Sequence, residues 1–180
     1  MYKTNNMICK DIKTILQQCL NNFLISNIDI IQLQQPTKTR EDNTTLYFQI
    51  LNSVNSGWQY VNYVKEDEEL KKINTYKESI QVKISCYKQR LLTDTITDYS
   101  SKDIINLIKS YLLSDDGINF LNELNYNILI PSTTDINEFI NDSDNYEFLP
   151  SLIITFLLKQ SWGNVIPTIE KIENKNIINT

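Results

Sequence analysis

The first residues carry apolar side chains at helical spacing, with polar positions between them. Residues that recur three and four positions apart share one face of a helix, so this pattern predicts an amphipathic helix with one buried face. The helix is expected to end near residue 23. The apolar positions are Ile8, Ile12, Ile15, Leu16, Cys19, Leu20 and Phe23.

The next segments alternate between apolar and polar residues, which is typical of strands. Residues 28–33 predict a strand that Pro36 stops, because proline cannot donate to a β-ladder, and a polar loop follows over 37–43. Residues 46–50 and 58–64 alternate strongly on either side of Asn55-Ser56-Gly57. Turn residues between two alternating runs predict a hairpin.

The middle of the chain contains a densely charged segment followed by a regularly alternating strand. Residues 65–77 are dense in charge and predict an exposed connection or a short solvated helical turn. Residues 78–88 alternate most regularly, with Ile80 and Val82 among the positions that share one face. Such alternation favours an antiparallel sheet that helices cover on one side.

The second half begins with a helix-start signal, since Ser100 stands three residues before Asp103. A helix is predicted to about residue 113, where Ser114-Asp115-Asp116-Gly117 ends it. The remaining predictions are a short helical segment over 118–124, a strand over 126–130, a loop over 132–145 with room for one helical turn, a strand over 149–158 and a weak strand over 165–172.

These elements predict an α+β fold with a mainly antiparallel mixed sheet, packed on one face by two main helices. A chain of 180 residues suits one domain. We therefore expect a single domain over 1–180, with an ordered core over about 8–172 and a flexible tail over 173–180.

Charge and hydropathy exclude several classes of partner. The formal net charge is −5 and no basic block is present, which argues against a protein that grips nucleic-acid phosphates. No apolar run approaches 18 residues and the N-terminus lacks a signal-peptide core, so we expect no membrane partner. Cys9, Cys19 and Cys86 are odd in number and widely spaced, and we expect core residues in a reducing compartment.

The sequence offers little material for catalysis. It contains no His, which removes imidazole bases and most zinc sites, and Gly57, Gly117 and Gly163 cannot form a phosphate-binding loop. We predict no catalytic, cofactor-binding or metal-binding residues, hence no cofactor and no enzyme. A hydrolase that uses paired carboxylates is a third and less favoured hypothesis.

Two groups of residues are candidates for surface roles. The acidic run Glu66, Asp67, Glu68 and Glu69 predicts an acidic surface. A second group of aromatics at strand spacing could stack a ligand, although aromatics at such positions more often fill a core or an interface. These aromatics are Trp58, Tyr60, Tyr63 and Trp162.

The predicted elements follow a definite order: the N-terminal helix to Phe23, the strand from Ile30, the hairpin at Gly57-Trp58, the strand over 78–88 and the helix over 101–113. This order resembles that of the tail-terminator and neck-terminator proteins of tailed bacteriophages. The segment over 149–158 with Trp162 and a last strand completes the resemblance, which covers about 8–172. It implies a virion protein of the neck or tail, assembled in the host cytoplasm.

The resemblance also implies a homo-oligomeric ring, commonly of six copies, between the head connector or adaptor and the tail tube or sheath. Such a ring terminates the tail and leaves a channel through which DNA passes without specific binding. We place Trp58, Phe148 and Trp162 at subunit contacts as a hypothesis. The acidic segment over 65–77 and the polar stretch over 132–147 depart from the family pattern.

The alternative is a small acidic cytosolic adaptor, or an immunity-type inhibitor that binds a basic protein through its acidic surface. Oligomeric state separates the two classes. An adaptor of this kind is expected to be monomeric or dimeric, whereas a terminator forms a closed ring.

Overall fold

A computed structural model of the chain describes residues 2–33, 44–66, 69–88, 99–129, 134–140 and 146–166. The predicted loop over 37–43 and the predicted tail over 173–180 lie outside these residues. The elements, in chain order, are α1 (Asn5–Asn22), β1 (Asp29–Gln32), β2 (Thr45–Glu66), β3 (Glu69–Tyr87), α2 (Ser101–Leu112), α3 (Asp115–Glu123), β4 (Tyr126–Leu129), β5 (Thr134–Ile140) and β6 (Tyr146–Ile166).

The strands form one mixed sheet in the order β1-β2-β3-β6-β4, and β5 also pairs with β6. β1 runs parallel to β2, whereas every other pair is antiparallel. β6 pairs along one side with β3 and along the other with β5 and then β4. The predicted α+β fold with a mainly antiparallel mixed sheet is confirmed.

The hydrophobic core lies between the helices and one face of the sheet. α1 contributes Ile12 and Leu16, and the alternating positions of β3 and β6, such as Ile84 and Phe156, meet them. Cys19 and Cys86 are buried in this core, and burial raises the pKa of both thiols to about 12. Cys9 is only half-buried, although it packs against the same cluster.

The start of α2 confirms the predicted cap. The Ser100 hydroxyl accepts from the Asp103 backbone N–H at 3.2 Å, and the Asp103 carboxylate accepts from the Ser100 backbone N–H at 2.9 Å. This reciprocal pair satisfies N–H groups that a helix start leaves unpaired. The hydrogen bonds from Ser100 lower the pKa of Asp103 below its usual value.

α3 begins three residues earlier than the sequence pattern predicts. Ser114 caps it, because the Ser114 hydroxyl accepts from the Gly117 backbone N–H at 3.2 Å. A Cβ at Gly117 would lie 2.0 Å from the Tyr111 carbonyl oxygen, so the close approach of the two helices requires glycine. The segment 114–117 therefore starts one helix as well as ending another.

The predicted hairpin at Asn55-Ser56-Gly57 is wrong. Residues 45–66 form one strand, β2, and the register with β3 shifts between Ser56 and Tyr60. A bulge uses the same small and polar residues as a turn, so local composition does not distinguish them. The sheet consequently has three strands before α2 rather than four.

Three further boundaries differ from prediction because charged or polar residues lie within strands. The segment 65–77, predicted as a connection, supplies the end of β2 and the first half of β3. The predicted loop over 132–145 contains β5, and the separate strands predicted over 149–158 and from 165 are one strand, β6. Strand pairing outweighs side-chain propensity at these positions.

Candidate functional site: a three-stranded arm

The three longest strands continue together past the hydrophobic core. Residues 56–66 of β2, 69–77 of β3 and 159–166 of β6 stay paired side by side. Strands rise about 3.3 Å per residue, so the nine residues of β3 reach about 30 Å beyond the core. We call these three segments the β-arm and the rest of the described structure the body.

The described side chains of the β-arm form no apolar core of their own. Among its described side chains only Asn74 and Gln160 are buried, and both are polar. The buried apolar positions of β3 and β6 stop at Ile80 and Leu158. Apolar side chains on an exposed arm mark a surface that another chain can cover. The large exposed apolar residues of the β-arm are Tyr60, Val61, Tyr63, Leu70, Trp162 and Val165.

Charge is distributed unevenly along the β-arm. Its shaft, residues 56–65, 70–77 and 159–165, contains no Asp or Glu. The first and last residues of the acidic run lie at the tip, where Glu66 ends β2 and pairs with Glu69 at the start of β3, while Asp67 and Glu68 lie outside the described residues. The five lysines of the shaft are Lys65, Lys71, Lys72, Lys77 and Lys159.

A polar cluster joins the β-arm to the body. Gln160 is fully buried and donates from Nε2 to Glu78 Oε2 at 2.8 Å, and the Ser53 hydroxyl donates to the other Glu78 oxygen. Gln160 also exchanges two hydrogen bonds with the backbone of Lys3, at 2.7 and 3.2 Å. This polar anchor of Lys3, Ser53, Glu78 and Gln160 connects β2, β3, β6 and the N-terminal segment.

The Lys3 side chain extends the anchor into the body. Its Nζ lies 2.6 Å from Asp11 Oδ2, donates to the Leu124 carbonyl at 2.9 Å and lies 4.7 Å from the centre of the Tyr126 ring. The Tyr126 hydroxyl donates to Asp11 Oδ2 at 3.0 Å. Burial, with the Asp11 charge, raises the pKa of Tyr126, so the phenol stays protonated as the donor.

The three predicted contact residues do not lie together. Trp162 is on the β-arm, 36% exposed, and packs edge-to-face on Tyr76 with ring centres 5.4 Å apart. Trp58 lies in the β2 bulge, whereas Phe148 pairs with Glu138 at the opposite end of β6. Fourteen residues of strand separate Phe148 from Trp162, about 45 Å. The structure does not describe the side chains of Trp58 and Phe148, and their role remains a prediction.

The aromatics of the β-arm do not form one stacking platform. Trp162 pairs with Asn74 and Tyr63 pairs with Lys72, and since Asn74 and Lys72 are two residues apart on β3, these two aromatics share a face. Tyr60 pairs with Thr75 and lies on the opposite face. Aromatics on both faces fit contacts with other chains better than a site for one ligand.

Sequence reasoning missed the polar anchor. Lys3 and Gln160 are 157 residues apart, and nothing near either residue indicates the other. One signal was present: Gln160 continues the alternation of the buried positions Leu152, Ile154, Phe156 and Leu158. A polar residue in a buried register requires hydrogen-bond partners.

The described part of the chain offers neither a metal site nor a membrane-spanning helix. Within the ranges given above, no three His, Cys, Asp or Glu side chains lie where they could hold a metal ion. None of the helices there is both long enough and apolar enough to cross a membrane.

Comparison with known proteins gives a family. Residues 7–168 match the family described as E217 gateway protein gp29, and no curated protein matches the chain. The matched range includes every helix and strand except the first two residues of α1. This result favours the phage class over the cytosolic adaptor. The chain belongs to this phage head-tail gateway family and is a virion-associated structural protein of the phage neck.

Proposed function

We propose that copies of this chain assemble into a ring at the head-tail junction, which terminates the tail and forms part of the DNA channel. The observation that carries the proposal is the β-arm. It projects about 30 Å of paired strand with no buried apolar side chain among those described.

A free arm of this kind is poorly stabilised. Two- and three-stranded sheets need a packed apolar face, and both faces of the β-arm expose tyrosine or tryptophan. Burial of apolar area against a neighbour contributes about 25 cal/mol per Å². Large aromatics such as Trp162 are the side chains that most often anchor protein interfaces. Assembly therefore supplies the apolar contacts that the single chain lacks.

The proposed ring has six copies, with the head connector or adaptor on one side and tail tube or sheath proteins on the other. Its action is geometric rather than catalytic: a closed ring stops tail growth and holds the channel open. DNA passes without specific binding, because a net charge of −5 repels phosphate and lets the duplex slide.

Native mass spectrometry of the purified chain over a range of concentrations tests the proposal. A discrete hexamer is the expected species. Replacing the three predicted contact residues together, Trp58→Ala, Phe148→Ala and Trp162→Ala, is expected to abolish it. A chain that stays monomeric at every concentration, or a ring that survives the triple replacement, contradicts the proposal.

The matched control replaces three exposed apolar residues of the body, Leu24, Leu113 and Ile118, with alanine. This variant also removes three large exposed apolar side chains, but away from the β-arm, and is expected to keep the ring. Thermal unfolding of each variant separates loss of assembly from loss of fold. Trp162→Ala alone provides a variant that stays folded if the triple replacement does not.

A further inference from the structure

The β-arm has two sheet edges. β1 pairs with β2 only up to Phe48, and β4 pairs with β6 only up to Leu158. In the part of the chain that the structure describes, residues 60–65 of β2 and 159–165 of β6 have β3 on one side and no strand on the other. Each edge therefore presents a row of backbone N–H and C=O groups, in which the Tyr63 N–H already donates to Asn62 Oδ1 and the Lys159 N–H to the Asn125 carbonyl.

These edges lack most features that prevent edge pairing. Soluble proteins protect sheet edges with proline, several charges, short strands or bulges. Neither edge segment contains proline, and each contains one lysine, Lys65 or Lys159. The β2 bulge lies between Ser56 and Tyr60, below the segment in question. The remaining residues are rich in Tyr, Val and Trp, which favour strands.

We infer that the β2 edge of one copy pairs with the β6 edge of the next, so that neighbouring β-arms form one continuous sheet. This inference rests on the proposed assembly and names the contact that holds it. The partner is a second copy because each chain carries both edges. A symmetric β2–β2 contact would leave both β6 edges bare, whereas a head-to-tail contact covers every edge and closes into a ring.

Strand direction and register agree with this contact. β2 and β6 both run antiparallel to β3, so they run the same way, and β-arms that point in the same direction pair in parallel. Lys65 lies at the level of Ile166 near the tip, while Lys159 lies at the level of Ser56 near the base. The two edge lysines thus stay apart, and the central aromatic positions meet.

Disulfide cross-linking tests the contact directly. Within one chain β3 separates β2 from β6, and two strand spacings amount to about 9.5 Å, beyond the roughly 7 Å that a disulfide can bridge. Any bond between the two edges therefore joins different copies. Tyr63 and Asn164 lie at one level and on one face, so a mixture of Tyr63→Cys and Asn164→Cys chains is expected to give dimers on mild oxidation.

The same mixture is repeated with Val61→Cys and Lys65→Cys in place of Tyr63→Cys, because neighbouring copies can be staggered by two residues without a change of face. A single chain carrying Tyr63→Cys and Asn164→Cys is expected to give a ladder of cross-linked species up to the ring size. Each chain with one added cysteine is expected to stay uncross-linked when it is oxidised alone, as is the unsubstituted chain with its three native cysteines.

The matched control mixes Asn164→Cys with Asn119→Cys, an exposed position on α3, and is expected to give no dimer. Native mass spectrometry of the same samples separates the two proposals. A ring without cross-links at all three β2 positions, or dimers from Tyr63→Cys alone, overturns the edge contact and leaves the ring intact. A chain that forms no ring overturns the proposed function and the edge contact with it.

Discussion

The strands β2, β3 and β6 run through both the body and the β-arm, yet the two regions are stabilised differently. In the body, the inner-face positions of β3 and β6, such as Ile80 and Phe156, are apolar and almost fully buried. In the β-arm the corresponding positions carry Asn74, Gln160 and Trp162. A continuous ladder therefore joins a region that stabilises itself to one that depends on contacts beyond its own strands.

This difference indicates which region determines folding stability and which determines assembly. Backbone hydrogen bonds contribute little net free energy, because the unfolded chain forms them with water. Buried apolar area supplies the main favourable term, and the described part of the β-arm has almost none. Changes to the buried apolar residues of the body should affect folding, whereas changes to the exposed aromatic residues of the β-arm should affect assembly.

Phe156→Ala is expected to give the largest loss of stability. Phe156 is 1% exposed and packs edge-to-face on Tyr126 at 6.0 Å, and removing such a ring costs about 3–5 kcal/mol of unfolding free energy. Urea unfolding of the monomer measures the loss. Trp162→Ala is the matched change on the β-arm and should cost about 1 kcal/mol or less. Equal losses would contradict the division between body and β-arm.

Gln160→Ala is expected to give an intermediate loss, about 1–3 kcal/mol, because it leaves the buried Glu78 carboxylate and the Lys3 backbone without their shared partner. Hydrogen exchange should also accelerate across 70–77 while 80–86 remain protected. Ser161→Ala, which removes a hydrogen bond to Thr75 at a less buried neighbouring position, is the control and should cost less. Uniform acceleration along β3 would show that the polar anchor does not fix the base of the β-arm.

Ser100→Ala is expected to give a small loss, about 1 kcal/mol, because it removes one helix cap in the body and leaves the β-arm unchanged. The pKa of Asp103 is lower in the folded state than its usual value of 3.8. The Asp103 carboxylate therefore stabilises the fold above that pH, and this stabilisation is lost as the pH falls through the pKa of the folded state. The stability difference between the native chain and Asp103→Asn should therefore shrink below about pH 4. A difference that is unchanged between pH 7 and pH 3 would contradict this assignment.

The sequence predicted the helices and the central strand of the body, but it missed β5 and the continuation of β3 into the β-arm. Residues 78–88 show clear alternation because one face of that strand is apolar and buried, whereas the other carries mostly polar side chains that are largely half-buried. Further along the same strand most side chains on both faces are half-buried, so the contrast between apolar and polar positions disappears and residues 65–77 resemble a connection. One signal was available, since no Gly or Pro interrupts residues 58–88.

Local chemistry was predicted more reliably than distant pairing. The Ser100 cap could be recognised because both partners lie within four residues. The polar anchor could not, because Lys3, Ser53, Glu78 and Gln160 come from four separate parts of the chain. For the candidate contacts, composition identified Trp162 as notable, but only the strand register shows that Phe148 lies at the other end of the same strand.

The unbroken register between β3 and β6 has a mechanical consequence. Sixteen consecutive residue pairs, from Leu70–Ile166 to Ser85–Ser151, run from the β-arm into the body without an irregularity. Sliding of β3 past β6 would load these pairs in shear, so that many resist together instead of opening one after another. The β-arm and the core are thus coupled along one continuous ladder, and a displacement at the tip is transmitted directly to the strands of the core.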